Sequence, residues 1–482
     1  MPPTQSAMTL DLRSVVAAPP RIIQGGMGIG VSGWELARAV SRRGALGVVS
    51  GTAVDTVMVR RLQDGDPGGH VRRALRAFPA AEVAELVERR FFNLDGRNGA
   101  PYTMLPMFRR TVSVERARIT MLANFVEVWL AKEGHNGVVG INLLTKVQMP
   151  NLPSLYGAML AGVDYVLMGA GIPREIPAIL DALAEHRVVR MKLDVEGSVA
   201  GEVDELVFDP QVHLPGVHEP LLRPAFLPIV SATSLATTLA RKASGRVDGF
   251  IVEGPTAGGH NAPPRGEPRF SDDGEPLYGE RDVVDLAKIR DLGLPFWLAG
   301  GAGTPEALRD ALAQGAAGVQ VGTLFAYCDE SGLARSLKDA VLTGISSDNV
   351  RVRTDSRASP TGYPFKVVQV SGLQNQDESR ERQCDLGYLR TAYRMEGGRV
   401  GYRCAAEPVA DYVKKGGDVA DTIGRRCLCN GLTANIGQPQ QRAWGEEPPL
   451  ITSGDDLVSL TGFARGRSHY SAADVLDYLL DG

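Results

Sequence analysis

No sign of charge dominates this chain of 482 residues: 52 basic against 56 acidic residues leave a formal net charge of −4. That balance excludes the broad electrostatic attraction that gathers nucleic acid or anionic membranes, so an anionic ligand has to be held by local geometry. Long hydrophobic runs are also missing. None reaches the roughly 18–20 apolar residues of a membrane span, and the opening stretch MPPTQSAMTLDLRSVVAAPP lacks a basic start followed by an apolar core. A cytoplasmic location without membrane attachment is the expectation. Cysteine is scarce, five in the whole chain, an odd number unlike the disulfide framework of a small secreted domain. Four of them, Cys384, Cys404, Cys427 and Cys429, fall late. Reduced thiols, or a zinc or iron–sulfur site, are the expectations there, although the C-x-C spacing selects no metal and buried thiols in a small packed subdomain are the simpler alternative.

The composition is otherwise that of an ordinary globular protein, 44% hydrophobic and 22% charged. Short apolar runs ending in Gly, Ser or Asn recur along it. Eight strands are read: Arg21–Gly26, Leu46–Gly51, Val138–Leu143, Val163–Gly169, Phe226–Ala232, Val247–Gly254, Pro295–Gly300 and Ala317–Gly322. Continuous rather than alternating apolar runs imply strands covered on both faces. Helical patterns between them, such as Gly33–Arg43, Ile176–Glu185, Ser234–Ala243 and Pro305–Gln314, imply parallel crossovers, and Gly332–Thr343 reads as the last barrel helix. Thr304-Pro305-Glu306 is a good helix start, a capping hydroxyl before a proline whose missing donor costs nothing there. The expected fold is therefore α/β, a TIM (β/α)8 barrel, with a doubly wound open sheet as the competitor. The domain expectation is a barrel over residues 1–350, with insertions at about 52–136 (helical) and 186–224 (a β-hairpin), then a cysteine-containing C-terminal subdomain over 351–482.

Two stretches carry chemistry. Leu298–Phe325 ends two consecutive strands in AGGAGT and VGT. Backbone N–H groups freed of Cβ atoms there can approach phosphate oxygens at the barrel's carboxyl face. Phe250–Gly266, FIVEGPTAGGHNAPPRG, ends a buried strand in Gly258, Gly259 and His260. Two glycines let the backbone pass close to a flat ligand, so the imidazole projects over it, and with an ordinary pKa of ~6.5 it can take or give a proton at neutral pH. GGMGIG, at the end of the first strand, is no dinucleotide fingerprint, since no acidic residue follows at the right place. Lys146, after INLLT, lies within reach of the third strand's end and can touch phosphate or substrate, with a solvated lysine as the simpler reading. Arg265 and Arg269, in the long Pro-rich loop after His260, are placed to greet an anionic or acyl-carrier substrate. Thr354–Val368 (TDSRASPTGYPFKVV) follows a rigid path that can line the site's mouth.

The order and spacing of IIQGGMGIGVSGWELARAVSRRGALGVVSG, VGINLL, VEGPTAGGH and GGAGTPEALRDALAQGAAGVQVGTLF resemble the nitronate monooxygenase family, FMN-dependent TIM barrels that also include flavin-type enoyl-[acyl carrier protein] reductases. The resemblance covers roughly residues 20–345. It implies that Gly301, Ala302 and Gly303, with Gly322 and Thr323, hold the FMN phosphate. Gly25, Gly26 and Met27 would lie against the isoalloxazine, Asn142 would contact it, and Gly51, Gly258, Gly259 and Gly300 would complete the wall. His260 would face the substrate side as the catalytic residue. Glu253 matches a position commonly Gln in nitronate oxidisers and Glu in enoyl reductases. Thr256 departs from the pattern, because many members are acidic there. The implied activity is oxidation of nitronates or nitroalkanes with O2; the alternative is NAD(P)H-dependent reduction of an enoyl thioester. The implied partners are a small-molecule or acyl-thioester substrate, with a second copy or an acyl carrier protein as further candidates.

Overall fold

The computed structural model describes residues 19–481 except 200, 348, 372, 374–378, 459 and 465. Of the opening stretch read above for a leader, residues 1–18 lie outside the described residues.

All eight expected strands form, most of them shorter, with the third and fifth displaced by a residue at one end: Ile22–Gln24, Gly47–Ser50, Val139–Leu144, Tyr165–Gly169, Ala225–Val230, Phe250–Glu253, Phe296–Ala299 and Gly318–Val321. Each pairs in parallel with its sequence neighbour, and the last pairs with the first. A parallel bridge between Ile23 and Leu46, with Gln24 N donating to Leu46 O at 2.9 Å, joins the first strand to the second. The sheet is thereby closed, and the fold is a TIM barrel rather than an open sheet. Closure leaves no edge strand, which explains why such short strands suffice.

Inward residues fill the barrel's lower half: Ile23, Val48, Leu167, Leu227, Ile251 and Trp297 are buried together. The Trp297 indole donates to Pro20 O at 2.7 Å, so the chain entering the first strand seals the amino end. Thr304 caps the helix Pro305–Ala313 as expected, accepting from Ala307 N at 3.1 Å.

The first insertion carries Val54–Gln63, His70–Leu75, Ala81–Phe91 and Val114–Lys132 as helices. Its longest helix is buried over most of its surface and packs on Asn151–Leu160. The second insertion forms the antiparallel hairpin Val189–Leu193 with Asp204–Phe208.

Beyond residue 350 the chain folds over the carboxyl face. An antiparallel pair, Val350–Asp355 with Phe365–Val370, and the helix Leu428–Ala434 lie there. The final helix, Ala472–Asp481, packs against both Trp34–Ser41 and Pro305–Ala313. That position, between the first and seventh barrel helices, is the eighth place in the ring. The helix expected to fill it forms at Arg335–Ser346 and packs instead on the Val350–Val370 pair and on Leu460–Ala464.

Candidate active site

The carboxyl ends of the strands surround a cavity of about 240 Å³. Of the residues expected there, Gly25, Gly26, Met27, Asn142, Glu253, Gly258, Gly259, His260, Gly300, Gly322 and Thr323 stand on its wall. Gly51, Gly301, Ala302 and Gly303 do not. Gly51 packs behind it, where a Cβ would press on Leu143 at 2.7 Å and Ile141 at 2.8 Å. Gly301 faces outward, Ala302 is buried against the core, and a Cβ on Gly303 would meet Asp456 Oδ2 at 3.0 Å.

The first-strand turn is organised by Ser32, whose buried hydroxyl donates to Gly25 O and accepts from Met27 N, both at 2.8 Å. Gly26 has no alternative: a Cβ there would lie 2.3 Å from the Cβ of Asn142 and 3.2 Å from Val48. The glycines before His260 have a different cause from the one the sequence suggested. Gly258 is crossed by the C-terminal segment, where a Cβ would sit 2.8 Å from Gly454 N, and Gly259 takes a left-handed φ of +77°. Gly259 N donates to Thr452 Oγ1 at 2.9 Å, and Gly259 O accepts from Lys366 N at 2.9 Å. The AGGH stretch is thus stitched to two segments from beyond residue 350.

His260 is fixed by Ser359 and Phe365. Its Nε2 lies 2.7 Å from Ser359 Oγ, which is 2.8 Å from Thr361 Oγ1. The Phe365 ring meets the imidazole nearly edge-on, centroids 4.8 Å apart. Burial holds the imidazole well below the usual histidine range, and the nearby Lys146 lowers it further. It is therefore neutral at pH 7, which narrows the expectation of a group able either to give or to take a proton. Glu253 is pushed up to about 7 by burial, against the pull of Lys146. Lys146 is brought down to about 7, chiefly by burial, with Glu253 opposing.

Several site residues left no local signal. Ser359 and Phe365 lie in the Thr354–Val368 stretch that was suspected, but Leu428, Leu432, Ile451 and Asp456 also line the cavity. Lys146, read as solvated, has its Nζ shielded from solvent with no hydrogen-bond partner. Arg265 is occupied, donating to Ser231 O after the fifth strand and to Arg281 O in its own loop, at 2.7 Å each.

The late cysteines make no metal centre among the described residues, where no group of three or more His, Cys, Asp or Glu is placed to hold an ion. Cys384 and Cys404 lie within hydrogen-bonding reach of each other, which draws the Cys384 thiol down and pushes Cys404 up. Cys427 is raised to about 11, mainly by burial. No helix among the described residues is long and apolar enough to cross a membrane.

Would the cavity accept FMN? Its floor is bare glycine backbone at Gly25, Gly26 and Gly322, which suits a flat ring. The Gln320 Oε1 atom, from a residue of the same wall, is buried without a partner and is open to a ring N–H donor. At the phosphate end the fit is opposed by one group. Thr323 Oγ1 is hydrogen-bonded to Asp456, whose carboxyl is pushed up by burial, and Gly454 N donates to Thr323 Oγ1 at 3.1 Å.

A model of the nitronate monooxygenase family matches residues 218–418, which bears out the resemblance read from the sequence. A curated relative, "Probable nitronate monooxygenase" of Staphylococcus saprophyticus, is 34% identical over 153 residues, 31% of this chain. That alignment spans only 39% of the relative's length. Among solved structures, FabK from Thermotoga maritima overlays at a TM-score of 0.47 and 14% identity, covering 96% of this chain and 92% of that one. Nitroalkane oxidase from Streptomyces ansochromogenes gives a TM-score of 0.47 at 15% identity, covering 96% and 95%.

Proposed function

From a barrel whose His260-bearing part matches the nitronate monooxygenase family, we propose that this protein is an FMN-dependent oxidoreductase that oxidises nitronates or nitroalkanes. The observation that carries the reading is a half-buried imidazole, held by Ser359, on the wall of a glycine-floored cavity. Gly25, Gly26 and Met27 would support the ring from the first strand, Asn142 from the third, and Gly300, Gly322 and Thr323 the phosphate arm. FMN, when bound, supplies the redox chemistry.

The chain's own residues handle protons and position. His260, uncharged at pH 7, is in the correct state to take the α-proton of a nitroalkane, and the hydrogen bond to Ser359 fixes the plane in which it does so. Leu428, Leu432 and Ile451, from the C-terminal segment, narrow the water's access to that encounter. Asp456 faces the phosphate end, where a carboxylate repels a phosphate dianion. Asp456→Asn keeps an acceptor for Thr323 and removes the charge, so it should tighten FMN binding about tenfold, in a titration followed by flavin fluorescence.

Glu253 favours a second reading, reduction of an enoyl thioester by NAD(P)H. A carboxyl raised to about 7 is half protonated at neutral pH and can give a proton to the substrate's α-carbon. Anaerobic mixing with NADPH separates the two. Loss of flavin colour within the mixing time supports the reductase; retained colour, followed by bleaching on addition of ethyl nitronate, supports nitronate oxidation. Colour retained with both would defeat both.

A further inference from the structure

Beyond His260 the cavity is continued by a second hollow of about 200 Å³. Glu253, His260, Ala170 and Ile229 line both, so the two meet at the imidazole. Lys146 stands on the wall of the second alone. Its Nζ is shielded from solvent, makes no hydrogen bond, and lies 4.4 Å from the centroid of the Tyr363 ring.

Such a group is costly. A buried ammonium without an acceptor weakens the fold unless something else gives it a partner. Asn261 Oδ1 on the same wall is likewise without a partner, and Glu253 acts on Lys146 through its charge, while the remaining polar groups are committed. Arg265 serves two carbonyl oxygens, and Asp282 accepts from Arg265 N and Gly279 N, each at 2.9 Å. Tyr278 donates to Ala262 O at 3.0 Å, and His260 is held by Ser359. Lys146 Nζ is thus left without a hydrogen-bond partner, on a residue that lines a space shared with the proposed base.

We propose that the second hollow is the substrate chamber and that Lys146 Nζ binds the anionic oxygen of a planar carbon-acid anion, a nitronate or the enolate of a thioester, whose carbon faces His260. This rests on the reading of the first cavity as a flavin site. The charge state follows from the neighbours. With His260 neutral and the Arg265 guanidinium bonded to two carbonyl oxygens, Lys146 and Glu253 are the groups lining the hollow whose charge changes near pH 7. Lys146 is protonated below about 7 and Glu253 is ionised above about 7. The hollow therefore attracts anions on the acid side and repels them on the alkaline side.

The test uses the purified full chain and its Lys146→Met and Lys146→Gln variants, with nitrate as a planar oxyanion probe. Nitrate should raise the melting temperature of the wild type at pH 6, less at pH 8, and leave both variants unmoved. Without nitrate, Lys146→Met should melt above the wild type, which a lysine serving the fold would not allow. In turnover, the KM for ethyl nitronate, or for crotonyl-pantetheine if that is the substrate reduced, should rise roughly tenfold or more while kcat changes less. Equal protection of the variants by nitrate, or an unchanged KM, overturns the assignment. Absence of flavin together with nitrate protection confined to the wild type would remove the redox reading and leave the anion site standing.

Discussion

Replacing His260 with Ala should lower kcat by about 10²–10⁴-fold, the usual contribution of a positioned proton-transfer group, with flavin content unchanged. The imidazole sits on the wall shared by the two hollows, and its removal leaves the glycine floor intact. The pH profile provides the second readout. A histidine whose folded pKa lies well below 6.5 is lost as a base only on that acid side, so the acid limb of kcat/KM should fall below the ordinary histidine range and vanish in the variant. Ser359→Ala, which removes the hydrogen bond to Nε2 but keeps the base, should cost about tenfold and spare the limb's existence. A His260→Ala variant with wild-type turnover would show that the ring only closes a loop.

Gly26→Ala should yield a folded protein that purifies without flavin. The new methyl would stand 2.3 Å from the Cβ of Asn142, a separation that forces either the third strand's side chain into the cavity or the first-strand turn away from it. Overpacking of this kind costs about 1–3 kcal/mol of stability, and the lost surface falls where the ring would rest. An FMN affinity weaker by about 10²-fold is expected, read by fluorescence titration. Gly162→Ala is the control. That residue has a left-handed φ, +73°, which Gly26 does not, and nothing lies within 4 Å of its missing Cβ. It should cost only about 1 kcal/mol and leave flavin bound. Equal affinity in both variants would remove the first-strand turn from the cofactor site.

The barrel was legible because each strand is a continuous apolar run closed by a turn residue, and because a parallel strand buried on both faces needs no partner beyond its own neighbours to be recognised. Strand ends moved by one to three residues, since pairing registers, not hydropathy, decide where a ladder stops. The glycines were legible in position but not always in cause. Gly258 looked like a contact for a flat ligand, yet it yields to the backbone at Gly454, nearly two hundred residues away. Gly51, inside a glycine-ended strand, looked the same as its neighbours and turned out to be packed against Leu143 and Ile141.

What escaped the sequence depends on contacts between distant segments. Lys146 is an ordinary lysine in a loop until Tyr363 covers it from beyond the barrel. Asp456 is one of two adjacent aspartates in TSGDD, and only the fold brings it to Thr323. The eighth ring position was assigned to the wrong helix, Gly332–Thr343. Arg335–Ser346 and Ala472–Asp481 are both amphipathic, and the chain's return to pack beside Trp34–Ser41 is what selects the second. The cysteines were noticed for their number, but the burial of Cys404, Cys427 and Cys429 and the partial exposure of Cys384 come from packing that their spacing does not encode.

The central claim is that the glycine-floored hollow beneath His260 is a flavin nucleotide site. Titrating the flavin-stripped protein with FMN, followed by quenching of flavin fluorescence, tests it most directly. Saturation at one FMN per chain, lost in Gly26→Ala and retained in Gly162→Ala, is the predicted result; no saturable binding, or binding indifferent to Gly26, would contradict it.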